Sequence, residues 1–300
     1  MNLSAAKKST KPKLKTKAKF TFIDLFAGIG GFHKALSNIG GKCVFASEWD
    51  DHARKTYEHN FKQENPKLFK SGYFIGDINK INPKDIPDFD ILCAGFPCQP
   101  FSQAGFKKGF SEDRGTLFFN IAQIIKHKKP KAFFLENVRY LLRHDNGNTL
   151  KVIKSIIEKE LGYSFFYKII KASDFGLPQH RPRLFMVGFK DTSINFNFPN
   201  PIKLKTSMSD VFNGRCNKEV GYTLRVGGAR SGINDRRNWD SYLVNGEVKR
   251  IGVEEAKKMQ GFPKDFYFPV SAVQAMKQLG NSVSIPAVEA TAKQMVKLLI

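Results

Sequence analysis

Three short segments of the chain hold side chains that could do covalent and acid–base chemistry. Cys98 stands in the loop sequence GFPCQPFS, directly after the apolar stretch FDILCAG, and a cysteine thiolate is a nucleophile that adds to electron-poor carbon. Glu136 follows the apolar residues AFFL, where partial desolvation would raise the pKa of its carboxyl group and let it donate a proton. Arg181 and Arg183 alternate in QHRPR, so as strand residues they face one way and offer two rigid donor forks to a carboxylate, a base carbonyl or a phosphate.

Each of these side chains also has an ordinary explanation. A single cysteine is more often buried and inert than reactive, a glutamate after a strand is often a surface or capping group, and a basic strand end is often only solvated. The setting of Cys98 favours chemistry, because a loop cysteine in a basic protein can hold a depressed pKa and Pro97 and Pro100 stiffen this loop. The remaining thiols are expected to be reduced structural residues: Cys43, Cys93 and Cys216.

A glycine-rich turn near the start of the chain predicts a nucleotide-like ligand. In FIDLFAGIGG, residues 22–31, a buried strand runs into a tight turn that opens a helix, so bare backbone can approach a ligand there. Glu48 closes the next strand, 20 residues after Gly28, where an acid would reach ribose hydroxyls. Trp49 beside it offers a flat face for an adenine ring, although core packing explains it equally well. The spacing is not GxGxxG, which disfavours a nicotinamide dinucleotide.

Strands and helices that alternate along the chain must position these residues. Strands are predicted at residues 20–26, 42–46, 73–75, 89–94, 132–135, 165–172 and 183–189, and helices at 32–39, 53–60, 116–127, 150–161, 253–259 and 285–300. This order predicts an α/β fold with a mostly parallel sheet that is covered on both faces.

The composition of the sequence changes near Lys190: residues 191–250 are polar, rich in Asn, Gly and Arg, and without helical periodicity. We therefore expect a Lys-rich tail over residues 1–19, a catalytic and cofactor-binding domain over 20–190, a small irregular domain over 191–270, and a return to the first domain over 271–300.

The chain carries a formal net charge of +22, and such an excess predicts a polyanionic partner. The tail contributes seven lysines, and it either adds non-specific DNA affinity or only solubilises the protein. No stretch is long and apolar enough to span a membrane and no secretory signal is present, so we expect a cytoplasmic protein without a membrane partner.

Taken in order, these segments resemble the DNA (cytosine-5) methyltransferase family across almost the whole chain after residue 19. FIDLFAGIGG, GFPCQPFS, RGTLFF, ENV, QHRPR and GNSV are similar to its signature motifs, and the resemblance is closest to the small bacterial enzymes of restriction–modification systems. It implies a Rossmann-like, S-adenosylmethionine-dependent methyltransferase domain with a small target-recognition domain. It further implies double-stranded DNA as the substrate, no metal, a monomer, and a cognate restriction endonuclease that the enzyme need not contact.

The resemblance also implies a role for each site residue. Cys98 would add to C6 of a cytosine that is flipped out of the duplex, Glu136 would contact the base at N3 and N4, and Arg181 and Arg183 would support Glu136 and hold the base carbonyl. The methyl donor would be bound by Phe26, Gly28, Gly30, Glu48, Trp49, Asp77, Ile78, Pro97 and Asn281. DNA would be contacted by Ser102, Thr223, Arg225, Arg230, Arg236 and Arg237.

Two positions depart from the family pattern, and two other functions stay open. Asn120 stands where an acid is common, and Glu254 stands where an arginine is common, a change that could weaken domain docking. One alternative is a tRNA cytosine-5 methyltransferase, a branch that typically has Thr in place of Ser102. The other is a non-catalytic DNA-binding protein on the same scaffold, which the intact catalytic motifs disfavour.

Overall fold

The computed structural model describes residues 18–97, 117–228 and 230–300. Nine strands are described: β1 Phe20–Leu25, β2 Gly41–Ser47, β3 Phe74–Ile75, β4 Ile91–Gly95, β5 Ala132–Val138, β6 Phe166–Lys171, β7 Pro182–Phe189, β8 Ser241–Val244 and β9 Glu247–Arg250. The α-helices in the same part of the chain are α1 Gly31–Asn38, α2 Asp51–Phe61, α3 Pro66–Lys70, α4 Leu117–Lys128, α5 Asn148–Ser155, α6 Met208–Phe212, α7 Val253–Gln260, α8 Ala272–Asn281 and α9 Ile285–Leu299. None of the helices in the described ranges is long and apolar enough to cross a membrane.

Seven strands form one sheet in the order β3-β2-β1-β4-β5-β7-β6. The pairs from β3 to β5 are parallel, whereas β7 is antiparallel to both of its neighbours. Six of the described strands therefore run one way and β7 alone runs the other, so the predicted mostly parallel sheet is confirmed. The reversed strand was not predicted, although no helix is predicted between the strands at 165–172 and 183–189, and a connection too short for a crossover helix favours an antiparallel pair.

The sheet separates two hydrophobic cores, one on each face. Alternate residues of each strand point to opposite faces, so Phe22 packs in one core and Ile23 in the other, and Phe134 and Phe133 divide in the same way. Helices α1, α2 and α9 contribute to the first core, while α4 and α5 contribute to the second. Both faces of the sheet are thus covered, as the apolar strand sequences predict.

Residues 191–270 pack onto the first of these cores. Met208, Leu224, Trp239 and Tyr242 are all buried in the cluster that also holds the β1 and β5 side chains. This region contains α6 and the β8–β9 hairpin, neither of which was expected from its polar sequence. The hairpin turn is Asn245–Gly246, with φ of 53° and 85°. This dipeptide is a strong sequence signal for a two-residue hairpin, although no hairpin was predicted here. The proposed domain boundaries at 190 and 270 stay a prediction.

Gly188 offers a test of how tightly the sheet is packed. A methyl group on Gly188 would overlap the Phe133 ring and the backbone carbonyl of Ser164, and neither can move without disturbing a neighbouring strand. We expect Gly188→Ala to lower the free energy of unfolding by about 3 kcal/mol, the upper range for overpacking a core, as measured by urea denaturation. The matched control is Gly232→Ala, whose added methyl meets nothing within 4 Å and should change stability little. Equal stability of the two variants would contradict the packing described here.

Candidate active site

A cavity of about 620 Å³ opens where β1, β2, β3, β4 and β5 end. This is the edge at which open α/β sheets bind their ligands. Ten of the residues singled out from the sequence line it: Phe26, Gly28, Glu48, Trp49, Asp77, Ile78, Pro97, Glu136, Arg183 and Asn281. The structure therefore brings most of the predicted cofactor residues and part of the predicted catalytic set to one place.

Glu48 joins the glycine turn to the second strand. Its two carboxylate oxygens accept hydrogen bonds from the backbone N–H groups of Gly28, at 2.7 Å, and Asp50, at 2.8 Å. Burial raises the pKa of Glu48, and the two N–H donors oppose that rise. Each oxygen keeps a second lone pair, so the carboxylate can still accept bonds from the hydroxyls of a ribose.

The aromatic residues at the cavity suit a flat ring. Trp49 is 80% exposed although tryptophan is usually buried, and it lines the cavity together with Phe26. Phe26 holds an uncommon left-handed backbone with φ of 55°, which marks the tight turn after β1. The exposed indole of Trp49 offers a stacking surface for a purine ring, and the carboxylate of Glu48 beside it can accept hydrogen bonds from ribose hydroxyls. These residues therefore fit the adenosine moiety of S-adenosylmethionine.

Gln278 is a cavity residue that the sequence analysis missed. Its Oε1 accepts a hydrogen bond of 2.9 Å from Thr56 Oγ1, while its Nε2 is buried without a partner among the described residues. A buried donor of this kind stabilises the fold only when it finds an acceptor. The position lies three residues before the predicted Asn281, and no local sequence feature distinguishes it from an ordinary helix glutamine.

Glu136 forms the acid–base part of the site. It lies within β5 and not after it, since the strand continues to Val138. Arg183 Nε lies 3.1 Å from Glu136 Oε1, and both side chains are largely buried. Burial raises the pKa of Glu136, while the positive charges of Arg183 and Arg181 lower it, and the net direction is upward. A buried carboxyl group with a raised pKa is able to hold and donate a proton.

Arg181 does not line this cavity, and its side chain is 1% exposed. Its guanidinium donates hydrogen bonds to the carbonyl oxygens of Leu224, at 3.3 Å, Gly280, at 2.9 Å, and Ser282. Gly280 and Ser282 belong to the cavity wall, whereas Leu224 stands between the predicted DNA contacts Thr223 and Arg225. Arg181 thus reaches Glu136 through its charge and not through a hydrogen bond, and its catalytic role stays a prediction.

Two buried glutamines complete this junction, and neither was singled out from the sequence. Gln179 accepts a hydrogen bond from the N–H of Leu224, at 3.0 Å, and donates to the carbonyl of Met259, also at 3.0 Å. Gln260 donates to the carbonyl of Leu279 at 2.6 Å. We call the side chains of Gln179, Arg181 and Gln260 the polar junction, because together they hold three separate segments of backbone.

Gly30 is also placed away from the cavity. It precedes α1 with φ of 85°, and a methyl group there would overlap the ring of Phe61. The glycine is explained by a tight turn and close helix packing, and its role in cofactor binding stays a prediction.

The predicted nucleophile Cys98 and the predicted DNA contact Ser102 lie outside the described residues. Pro97, which directly precedes Cys98, lines the cavity. Cys43 and Cys93 are fully buried, and burial raises the pKa of both thiols well above its ordinary value. A buried thiol with a raised pKa is inert at neutral pH, as the sequence predicts for these two.

The predicted DNA-reading residues lie on one polar stretch of the chain. Arg225, Arg230, Arg236 and Arg237 are exposed and Thr223 is partly exposed. Arg237 is already paired, because its Nη2 lies 2.8 Å from Asp235 Oδ2. Exposure leaves the other guanidinium groups accessible to phosphates or base edges, and their individual roles stay predictions.

Glu254, the second departure from the family pattern, is explained by a contact within α7. Its carboxylate lies 2.8 Å from Nζ of Lys257, whose side chain is buried and also donates to the carbonyls of Lys264 and Phe266. The acid therefore balances a buried ammonium group. Whether it weakens domain docking stays untested.

Comparison with known proteins agrees with this geometry. The solved structures of S. pombe Dnmt2 methyltransferase and a Spodoptera frugiperda DNMT2 mutant superpose with TM-scores of 0.70 and 0.69, at 17% sequence identity each. They cover 93% and 92% of this chain and 99% of their own chains. These likenesses show that the chain has the Rossmann-like α/β fold of those methyltransferase structures.

Sequence comparison then gives the family. The model of the C-5 cytosine-specific DNA methylases matches residues 20–226 and 223–297. Type II methyltransferase M.HpaII from Haemophilus parainfluenzae is 42% identical over 94% of this chain and 90% of its own, and M.HhaI from Haemophilus parahaemolyticus is 41% identical over 88% and 90%. The chain therefore belongs to the C-5 cytosine-specific DNA methylase family, and the prediction of a DNA cytosine-5 methyltransferase is confirmed.

Arg181→Lys tests the polar junction. A lysine keeps the charge but replaces a planar fork with a single ammonium group, so at least one of the three buried carbonyls loses its donor. We expect the free energy of unfolding to fall by about 2 kcal/mol, within the range for leaving a buried polar group unsatisfied, as measured by urea denaturation. The matched control is Arg225→Lys at an exposed position, which should leave stability unchanged. A similar stability of both variants and the parent would show that the junction does not hold the fold together.

Proposed function

We propose that this enzyme methylates C5 of one cytosine within a short specific sequence of double-stranded DNA. The observation that carries the proposal is the buried Glu136–Arg183 pair, at 3.1 Å, on the wall of the same cavity as Glu48 and Trp49. An acid that can protonate a base and a site for an adenosine moiety are thus adjacent. S-Adenosylmethionine, the methyl donor of the family, would be held by the cavity residues, and when bound it supplies an electrophilic methyl group.

Glu136 and Arg183 would act on the ring of the target cytosine. Carbon C5 is too weak a nucleophile until a thiolate has added to C6, and we assign this addition to Cys98. The protonated carboxyl of Glu136 would donate to N3 as the carbon–sulfur bond forms, so that negative charge does not build up on the ring. Arg183 would orient the carboxyl group through its Nε and present its remaining donors to the base carbonyl. Once C5 carries the methyl group, loss of the C5 proton to water would expel Cys98 as its thiolate, and N3 would return its proton to Glu136.

Delivery of the cytosine requires that it leave the stacked duplex. Atom C6 is inaccessible in base-paired DNA, so the base must be flipped into the cavity. The exposed arginines of residues 225–237 are the groups that we assign to DNA contact, some to guanine edges and some to phosphates. The net charge of +22 supports a phosphate backbone as the partner.

The biological setting follows from the relatives. Because relatives at 41% and 42% identity are type II methyltransferases from bacteria, we place the enzyme in a restriction–modification system in the bacterial cytoplasm. It would act there as a monomer, and a cognate endonuclease would recognise the same sequence without contacting it. The same relatives favour DNA over tRNA as the substrate.

A covalent trap tests the assigned nucleophile. Duplex DNA that contains 5-fluorocytosine at the target sites cannot lose a proton from C5, so the enzyme should remain bonded to it after addition. We expect a denaturation-resistant protein–DNA adduct in the presence of S-adenosylmethionine and no adduct with Cys98→Ser. The matched control is Cys216→Ser, a half-buried thiol outside the cavity, which should form the adduct normally. If the parent enzyme forms no adduct on any genomic fragment, the mechanism is wrong.

Glu136→Gln tests the assigned acid. The amide keeps a donor but cannot transfer a proton, so we expect DNA binding to survive while single-turnover methyl transfer falls by about 10²-fold. Burial raises the pKa of Glu136, and the protonated form is the active one. Its contribution is therefore present below that raised pKa and is lost as the pH rises through it, giving the parent enzyme a falling alkaline limb that the Gln variant lacks.

The control for this variant is Glu58→Gln, an exposed carboxylate paired with Lys62 on α2. It should leave both the rate and the pH profile unchanged. An unchanged rate in Glu136→Gln would show that this carboxyl group serves only the structure.

A further inference from the structure

Three side chains form a chain of hydrogen bonds along one wall of the cavity. Asn120, in the first turn of α4, donates from Nδ2 to Asn79 Oδ1 at 2.9 Å. Asn79 donates from Nδ2 to Asp77 Oδ1 at 2.9 Å, and its backbone N–H donates to the same oxygen, also at 2.9 Å. Asp77, Ile78 and Asn79 line the cavity. We call Asn120, Asn79 and Asp77 the amide relay.

The direction of the hydrogen bonds in the amide relay is set by Asp77, the residue at which the relay ends. An ionised carboxylate accepts hydrogen bonds and has none to give, so Asn79 must turn its amide nitrogen towards Asp77. The amide oxygen of Asn79 then faces Asn120, which donates a hydrogen bond to it from its own amide nitrogen. Every donor in the relay therefore points towards Asp77.

Both bonds from Asn79 end on Oδ1 of Asp77, and Oδ2 has no hydrogen-bond partner among the described residues. We propose that Asn120 is a positioning residue that acts through Asn79 to hold Asp77, with Oδ2 presented to the exocyclic amine of the purine ring of the methyl donor. This inference rests on the proposed function of the cavity as the binding site for S-adenosylmethionine. The assignment gives Asn120 a role that its position on α4 alone does not suggest.

The amide at position 120 cannot be replaced by an acid without breaking the relay. A carboxylate at 120 would face the oxygen of Asn79, and two acceptors repel each other. If Asn79 turned over to satisfy the new carboxylate, its oxygen would then face Asp77 instead. Aspartate has nearly the same shape as asparagine. The Asn120→Asp variant therefore changes the hydrogen-bond direction while leaving side-chain packing nearly unchanged.

The experiment measures binding of S-adenosylhomocysteine and of its analogue S-inosylhomocysteine by isothermal titration calorimetry with the full chain. The analogue carries a carbonyl oxygen in place of the exocyclic amine, so it has no donor at that position to offer to Asp77 Oδ2, and its ring N1 carries a proton in place of a lone pair. We expect the parent protein to prefer the adenosyl ligand by at least about tenfold, the scale of a hydrogen bond to a charged group. In Asn120→Asp the affinity for the adenosyl ligand should fall by about tenfold, and the preference should shrink to about threefold or less.

The matched control is Asn82→Asp, which adds the same charge nearby. Asn82 Oδ1 accepts a hydrogen bond from the N–H of Lys84 at 3.0 Å, a role that an aspartate fills equally well, so binding should be unchanged. Asn120→Ala removes the donor without adding charge and should lower adenosyl affinity by about threefold, with part of the preference lost. A thermal melt of each variant shows that it is folded.

The outcomes distinguish this inference from the function on which it rests. If the folded parent protein binds neither ligand, the cavity is not the cofactor site and the proposed function is wrong in that respect. If the parent binds and prefers the adenosyl ligand while Asn120→Asp keeps the same affinity and preference, the positioning role of Asn120 is overturned and the cofactor site stands. A loss of affinity in Asn120→Asp with the preference fully retained also overturns it, because disturbed packing would weaken both ligands alike.

Discussion

The arrangement of the active site depends on three buried polar side chains at the point where separate parts of the chain meet. Gln179, Arg181 and Gln260 are almost fully buried, and between them they satisfy backbone groups of Leu224 and Gly280 and of the ends of α7 and α8. A buried backbone carbonyl without a donor costs about 1–3 kcal/mol. These side chains therefore stabilise one relative placement of the backbone around Leu224 and the cavity wall.

Close backbone approach supports the same placement. A methyl group on Gly280 would lie 2.7 Å from the carbonyl oxygen of Arg225, so glycine lets the backbone of Arg225 lie directly against the cavity wall. The reversed strand β7 makes a related contribution. Because it is antiparallel to β5, its first residues and not its last reach the edge where β5 ends, and Val138 pairs with Arg183 there. In a strand parallel to β5, Arg183 would lie at the opposite edge of the sheet, where β5 begins.

The sequence predicted the parts of the site that are encoded locally. The glycine turn, Glu48 and Glu136 each follow or end an apolar strand, and strand ends meet at one edge of a parallel sheet, so their convergence was foreseen. Asp77 was expected at this site only through the family resemblance. The polar junction was not, because Gln179 and Gln260 are 81 residues apart and nothing near either one signals a partner. Arg181 and Arg183 look equivalent in QHRPR, yet Arg181 is turned to three carbonyls and Arg183 to Glu136. The contacts of such side chains are determined by tertiary packing, which the local sequence pattern does not predict.

The distances in sequence across the cavity wall have a kinetic consequence. Thr56 and Gln278 are separated by 222 residues, and Arg181 and Ser282 by 101. Contacts of such long range form slowly, because closing a large loop costs conformational entropy before the contact contributes any favourable free energy. The β1–β2 and β6–β7 pairs need far shorter loops. Loop-closure entropy therefore favours the formation of these two strand pairs before the long-range contacts of the cavity wall, so the cavity is expected to be completed late in folding.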